Sequence, residues 1–154
     1  MPRLSIVIPA LNAAATLGPV VEALGERAAA DLAGELIVVD GGSSDGTSAL
    51  ARSAGALVVA HAASRGGQLA RGAETAQGEW LLFLHADSRL EPGWSAAAAR
   101  FVAQAEGEER AAVFRLALDD ASKSARRMER LVAWRTKALG LPYGDQGLLI
   151  ASAV

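Results

Sequence analysis

The sequence predicts an α/β fold: a mostly parallel central sheet flanked by helices. Three observations carry this expectation. Short apolar, β-branched runs alternate with helical segments through the first half of the chain. Polar clusters follow several of those runs at their C-terminal ends, where parallel sheets hold ligands. The length of 154 residues suits one domain able to bury a core.

Each element has its own signal. Leu4 to Ile8 is a β-branched run stopped by Pro9, and reads as a buried strand. Leu17 to Ala30 is helical, with Leu17, Val20, Val21 and Leu24 at three-to-four spacing and Asn12 or Thr16 as its cap. Leu36 to Val39 is a second strand, and Ser44 to Thr47 opens a helix running to about Ala54. Leu57 to Ala60 is a third strand, Gly66 to Ala76 a helix stopped by Gly78, and Trp80 to Leu84 the most apolar strand. In the second half, Trp94 to Ala105 is an alanine-rich helix and Gly107 to Arg110 a polar turn. Val113 to Leu118 alternates as an antiparallel strand does, and Ser122 to Leu139 is a long basic helix. Gly140 to Gly147 is a glycine-rich loop, and Leu148 to Ile150 starts another strand. That last strand leaves an open edge able to pair two chains into a homo-oligomer.

Composition narrows the function. Hydrophobic residues make up 51% of the chain, much of it alanine, which forms helix well and buries little area. Seventeen acidic against 15 basic residues give a net charge of −2, not the profile of a nucleic-acid binder. The absence of cysteine excludes disulfides and thiol chemistry and suits the cytoplasm. Two histidines, His61 and His85, cannot build a multi-histidine zinc site. No apolar run reaches the roughly 20 residues of a membrane span, and the N-terminus enters a strand pattern with no signal peptide.

Three clusters are candidates for chemistry. Asp40-Gly41-Gly42-Ser43-Ser44-Asp45-Gly46-Thr47 lets backbone approach a ligand closely, but lacks the lysine and spacing of a phosphate-binding P-loop. Asp40, at a strand's C-terminal end, is the ligand contact expected of it, whereas Ser44, Asp45 and Thr47 read as helix capping. In Leu84-His85-Ala86-Asp87-Ser88, Asp87 is an acid at a strand exit, suited to a hard divalent cation whose shell a diphosphate completes. In Pro142-Tyr143-Gly144-Asp145-Gln146-Gly147, a carboxylate sits in a tight loop where it can act as general base. His61 reads as a turn residue and Trp80, Trp94 and Trp134 as packing residues, with lining of an acceptor cleft as the alternative for Trp94. Arg126, Arg130 and Trp134 share one face of the basic helix, read as solvated, with an anionic lipid surface or lipid-phosphate acceptor as the alternative.

Taken in order, Ser5-Ile6-Val7-Ile8-Pro9-Ala10-Leu11-Asn12, Glu35 to Thr47 with its Val-Asp-Gly-Gly-Ser-Ser-Asp-Gly-Thr run, and Gly78-Glu79-Trp80 to Asp87 resemble the family 2 inverting glycosyltransferases of the GT-A fold. The closest variety looks like a bacterial subfamily with His-Ala-Asp and Tyr-Gly-Asp-Gln motifs. The resemblance implies a Rossmann-like sandwich that moves a sugar from a nucleotide-diphosphate donor, UDP by family habit, to an acceptor hydroxyl with inversion. It places Pro9, Leu11 and Asn12 by the nucleotide, Asp40 on the base with Gly41 and Ser43 beside it, and Arg65 near the phosphates. Asp87 would hold Mg²⁺ or Mn²⁺ and the diphosphate, Asp145 would be the catalytic base, and Gln146 would position substrate. The acceptor is open, a lipid-linked one among the alternatives; a cytoplasmic location is expected, with peripheral contact at the inner face of the membrane as an alternative that rests on the basic helix alone. Residues 1–154 are expected as one glycosyltransferase domain without the acceptor-side segment that follows in relatives. The chain departs from the pattern at His85, which replaces the first acid of Asp-x-Asp, at Ala13, where glutamate is usual, and at Ala70, where many members carry asparagine. Two other readings compete: a nucleotide-sugar-binding remnant that has lost transfer, and a nucleotidyltransferase. The latter lacks its basic glycine-rich N-terminal loop here.

Overall fold

A computed structural model describes residues 4–26, 32, 34–105, 110–140 and 146–152. The elements in chain order are β1 (Leu4–Ala10), α1 (Ala14–Leu24), β2 (Gly34–Asp40), α2 (Thr47–Ser53), β3 (Leu57–Ala60) and α3 (Arg65–Thr75). They continue as β4 (Trp80–Phe83), α4 (Trp94–Gln104), β5 (Ala111–Val113), α5 (Lys123–Leu139) and β6 (Leu148–Ala151). The strands form a six-stranded sheet in the order β3-β2-β1-β4-β6-β5. The pairs β1–β2, β1–β4 and β2–β3 are parallel, whereas β4–β6 and β5–β6 are antiparallel. The sheet is thus mostly parallel, as expected.

Side-chain alternation divides the core between the two faces of the sheet. Leu4, Ile6 and Ile8 of β1 join Leu17, Val20, Ala51, Trp94 and Val102 on the face covered by α1, α2 and α4. Val7 joins Ile37 and Val39 on the other face, under Leu69 of α3. That helix approaches closely because Gly72 has no side chain: a Cβ there would stand 2.2 Å from Val7 Cγ1. Trp80 packs edge-on against Phe101, ring centroids 5.8 Å apart. Trp94 donates its indole N–H to the Ala23 carbonyl (3.0 Å). Both are packing residues, as expected.

Several sequence expectations need correction. Pro9 does not end β1, which pairs with β2 as far as Ala10. Leu84 N donates to Val7 O, so the odd residues of β1 face β4. Pairing with β4 stops at Val7–Phe83, since the next rung on that side would need the N–H that Pro9 lacks. The first helix starts at Ala14, with Pro19 inside it, and neither Asn12 nor Thr16 caps it. The antiparallel strand β5 covers Ala111–Val113 rather than reaching Leu118. The last strand is no open edge: β6 lies between β4 and β5. Trp134 is 60% exposed and packs against no core. The expected polar turn at 107–110 lies outside the described residues except for Arg110.

Candidate functional site

The sheet order defines where a ligand fits. From β1 the chain moves outward to β2 and β3, then returns to place β4 on the opposite side of β1. The C-terminal ends of β1 and β4 therefore flank the topological switch point, the place where open α/β sheets leave a crevice. A cleft of about 400 Å³ opens there. Its walls are Pro9, Leu11 and Asn12 leaving β1, Ser64 and Arg65 at the start of α3, and His85 and Asp87 leaving β4, with Gln68 at its base.

Each wall has a local cause. Asn12 takes a left-handed backbone conformation with φ of 49°, among the described residues the only non-glycine with positive φ. Two hydrogen bonds fix it: Asn12 N donates to Ser43 Oγ (2.8 Å), and Ser44 N donates to Asn12 Oδ1 (3.0 Å). The loop after β1 is thereby clamped to the loop after β2. Ser64 caps α3 by accepting from Gly67 N, and Arg65 follows as an exposed side chain at the first helical position. His85 is half-buried and Asp87 exposed, both reaching the cleft from the short segment after β4.

Asp40 lies differently from its expected place on the ligand. It is buried and does not line the cleft. Its Oδ1 accepts from Ser43 Oγ (2.6 Å), Ser43 N (2.9 Å) and Gly42 N (3.2 Å), and its Oδ2 accepts from the Ser48 hydroxyl. Burial raises the pKa of Asp40, but the hydrogen bonds from Ser43, Ser48 and Gly42 together outweigh it and hold the carboxyl below its usual 3.8. Ser43 relays this order to Asn12. Gly41 sits against Gln68 and Ala63, where a Cβ would stand 3.3 Å from each. Asp45 also organises backbone: its carboxylate accepts from Thr47 Oγ1 (2.5 Å) and N (3.1 Å), and from Ala14 N (3.0 Å). Those bonds, that from Thr47 first, lower its pKa as well.

Gln146 is also placed away from the cleft. It is buried, its amide nitrogen donating to Phe114 O (3.0 Å) and its Oε1 accepting from Thr136 Oγ1 (3.1 Å). Asp145 and Tyr143 lie outside the described residues. The residue that sequence reasoning missed is Gln68, buried at 4% exposure. Its Nε2 donates to both Val39 O (2.7 Å) and Ala10 O (3.0 Å), fastening the ends of β1 and β2 beneath the cleft. The available signal was its spacing: Gln68 and Gly72 stand four apart, on the helix face turned toward the sheet.

The arrangement suits an anionic, partly polar ligand: one cation in Arg65, one carboxylate in Asp87, one imidazole in His85 and an amide in Asn12. Among the described residues no three acidic or imidazole groups cluster to hold a metal unaided. A carboxylate and an imidazole two residues apart, at the mouth of an open cleft, fit a divalent cation whose remaining positions a phosphate ligand and water fill.

Comparison with known proteins agrees with this geometry. Residues 5–141 match the family described as glycosyl transferase family 2. A PGL/p-HBAD biosynthesis glycosyltransferase of Mycobacterium tuberculosis is 36% identical over 113 residues, 68% of this chain and 43% of that protein. This chain thus spans less than half the length of that curated relative. Mannosyl-3-phosphoglycerate synthase from Rubrobacter xylanophilus superposes with a TM-score of 0.69 at 24% identity, covering 98% of this chain and 53% of its own. Glucosyl-3-phosphoglycerate synthase from M. tuberculosis, solved with Mn²⁺, UDP and glucosyl-3-phosphoglycerate, gives 0.69 at 22% identity, covering 98% and 57%. These structures share the GT-A fold. With the fold, the switch-point cleft and the matched span in agreement, the chain belongs to glycosyl transferase family 2.

Proposed function

We propose that the chain binds a nucleotide-diphosphate-sugar, a UDP-sugar first among them, in the cleft between β1 and β4, and transfers the sugar to an acceptor hydroxyl with inversion. The observation that carries this reading is the convergence of Asn12, Arg65, His85 and Asp87 on one cleft at the switch point. The solved relative with UDP and Mn²⁺ bound supports it through the shared fold. Pro9, Leu11 and Asn12 border the nucleoside, and the clamp from Asp40 through Ser43 holds Asn12 in place. Arg65 faces the diphosphate. Asp87, with His85, would hold a Mg²⁺ or Mn²⁺ ion, which when bound offsets charge on the leaving diphosphate. Asp145 is the residue assigned as base from its motif. Its carboxylate takes the acceptor's hydroxyl proton as the oxygen forms its bond to the anomeric carbon, and the bond from that carbon to the diphosphate oxygen breaks on the opposite face. No covalent enzyme intermediate is required. The nucleotidyltransferase and binding-remnant readings gain no observation of their own.

Thermal shift with a panel of nucleotide diphosphates and nucleotide-sugars, with and without Mn²⁺, tests the donor site, since a ligand selective for the native state raises its apparent stability. A shift that needs Mn²⁺ and disappears in Asp87→Ala is expected. An equal shift without metal would remove Asp87 from the metal role. No shift with any donor, from a folded protein, would overturn the donor site.

A further inference from the structure

Helix α5 carries a face that nothing in the described structure covers. Its inward side is Ala125, Glu129 and Val132. On the outward side Met128, Leu131 and Trp134 recur every third residue, at 50%, 55% and 60% exposure. Leu139, at 56%, is exposed at the C-terminal end of the helix, nearer the Met128 side than the Trp134 side. Lys123, Arg127, Arg130 and Lys137 are all exposed and border the Trp134 side. The single acid of the helix, Glu129, faces inward, where it accepts from Leu118 N (2.7 Å) and pairs with Arg126. A chain of net charge −2 has therefore gathered cations and large apolar side chains on one helix face, with no exposed carboxylate among them.

We infer that this face docks on an anionic lipid bilayer. Charge complementarity selects the occupant. An amphipathic helix binds a membrane interface through apolar side chains below and basic ones at headgroup level. Tryptophan favours that boundary because its ring is apolar and its N–H polar. A two-fold dimer through the same face would set α5 against α5 and bring the cations together. The helix is also well placed relative to the cleft. Thr136 on its inner side bonds Gln146, and Leu148, two residues on, pairs with Phe83 at the end of β4. The C-terminal end of α5 thus lies toward the sheet end from which His85 and Asp87 leave, and a docked bilayer would lie near the rim of the cleft.

Tryptophan fluorescence makes the test direct. Trp80 and Trp94 are 8% and 4% exposed, so a spectral change on docking comes from Trp134. The chain is mixed with vesicles of phosphatidylcholine alone, or of equal parts phosphatidylcholine and phosphatidylglycerol, and followed by co-sedimentation and emission wavelength. The expected result is binding to the anionic vesicles only, with a blue shift, reversed by raising salt from about 0.1 M to about 0.5 M. Arg127→Gln with Arg130→Gln should weaken binding about 30-fold, and Leu131→Ser should also weaken it, each with an unchanged melting curve. Equal binding to neutral vesicles, no binding to either, or retained binding in both folded variants overturns the proposal. A sedimentation mass of twice the chain, lost in Leu131→Ser, would assign the face to a second copy instead.

Discussion

At the scale of single residues, the most constrained side chains serve the backbone that shapes the cleft. Asp40 accepts four hydrogen bonds from Gly42, Ser43 and Ser48, and its pKa is depressed by them despite burial. A carboxyl depressed in the folded state contributes stability above its unfolded pKa and loses it as pH falls through the folded value. Stability is therefore expected to decline as pH drops below about 3.8. In Asp40→Asn the acid decline should be shallower and stability at neutral pH lower, read from urea midpoints at pH 3 and pH 6. An unchanged acid slope in the variant would remove Asp40 from that titration. Gly72 makes the matching point in the core. Its added Cβ would meet Val7 Cγ1 at 2.2 Å, on the central strand, where the backbone has little room to yield. Gly72→Ala should cost about 1–3 kcal/mol. Val7→Ala in the same chain should recover part of that loss, and strict additivity of the two changes in a double-mutant cycle would disprove the contact.

At the scale of elements, what the sequence told and what it withheld have different physical origins. The strand positions of Leu4–Ile8, Leu36–Val39 and Trp80–Leu84 were legible because parallel strands buried on both faces read as continuous apolar runs, whereas the more exposed edge strand Leu57–Ala60 showed itself only by its short apolar, β-branched run. The cleft residues Asn12 and Asp87 were legible because they follow strand ends, whereas Arg65 was indicated only by the family resemblance. The start of α1 was not legible, since its cap comes from far along the chain. Ala13 N donates to Thr47 Oγ1 (2.8 Å) and Ala14 N to Asp45 Oδ2 (3.0 Å), both from the loop after β2. A local reading looks for the cap beside the helix, finds Asn12 or Thr16, and starts the helix at Leu17, three residues late. The place of Asp40 was hidden for the same reason: its partners include Ser48, eight residues on. Thr47 tests the long-range cap. It is fully buried, and Thr47→Val keeps its shape while leaving Ala13 N without its acceptor. A loss of about 1–2 kcal/mol is expected from denaturant unfolding. Because the same bond holds the start of α1 against the cleft, donor-induced thermal shift should shrink as well. A variant as stable as the parent would show that water replaces Thr47 without cost.

At the scale of the whole molecule, the two halves of the chain are held by different amounts of core. Strands β1, β2 and β4 with α1 and α4 supply most of the large buried side chains. None of the residues in either core cluster comes from α5. That helix buries only Ala125 and Val132 of its apolar side chains and is otherwise tied by polar links, Glu129 to Leu118 N and Thr136 to Gln146, and β5 is only three residues long at the sheet edge. Polar links at a half-exposed boundary each contribute little, whereas the apolar core resists opening in proportion to the area it hides. Local opening should therefore begin at α5 and β5 while the parallel sheet stays closed. In native-state hydrogen exchange the amides of Val132 to Leu139 and Ala111 to Val113 are expected to exchange at least about tenfold faster than those of Ile6 to Ile8 and Ile37 to Val39. A donor bound in the cleft should slow exchange after β1 and β4 and leave α5 unchanged. Anionic vesicles should do the reverse, protecting α5 first, because a ligand protects the segments it contacts or whose opening it opposes. Uniform exchange across all four segments would mean that the antiparallel half opens only together with the sheet, so that β6, paired on both sides, binds the halves into one cooperative unit.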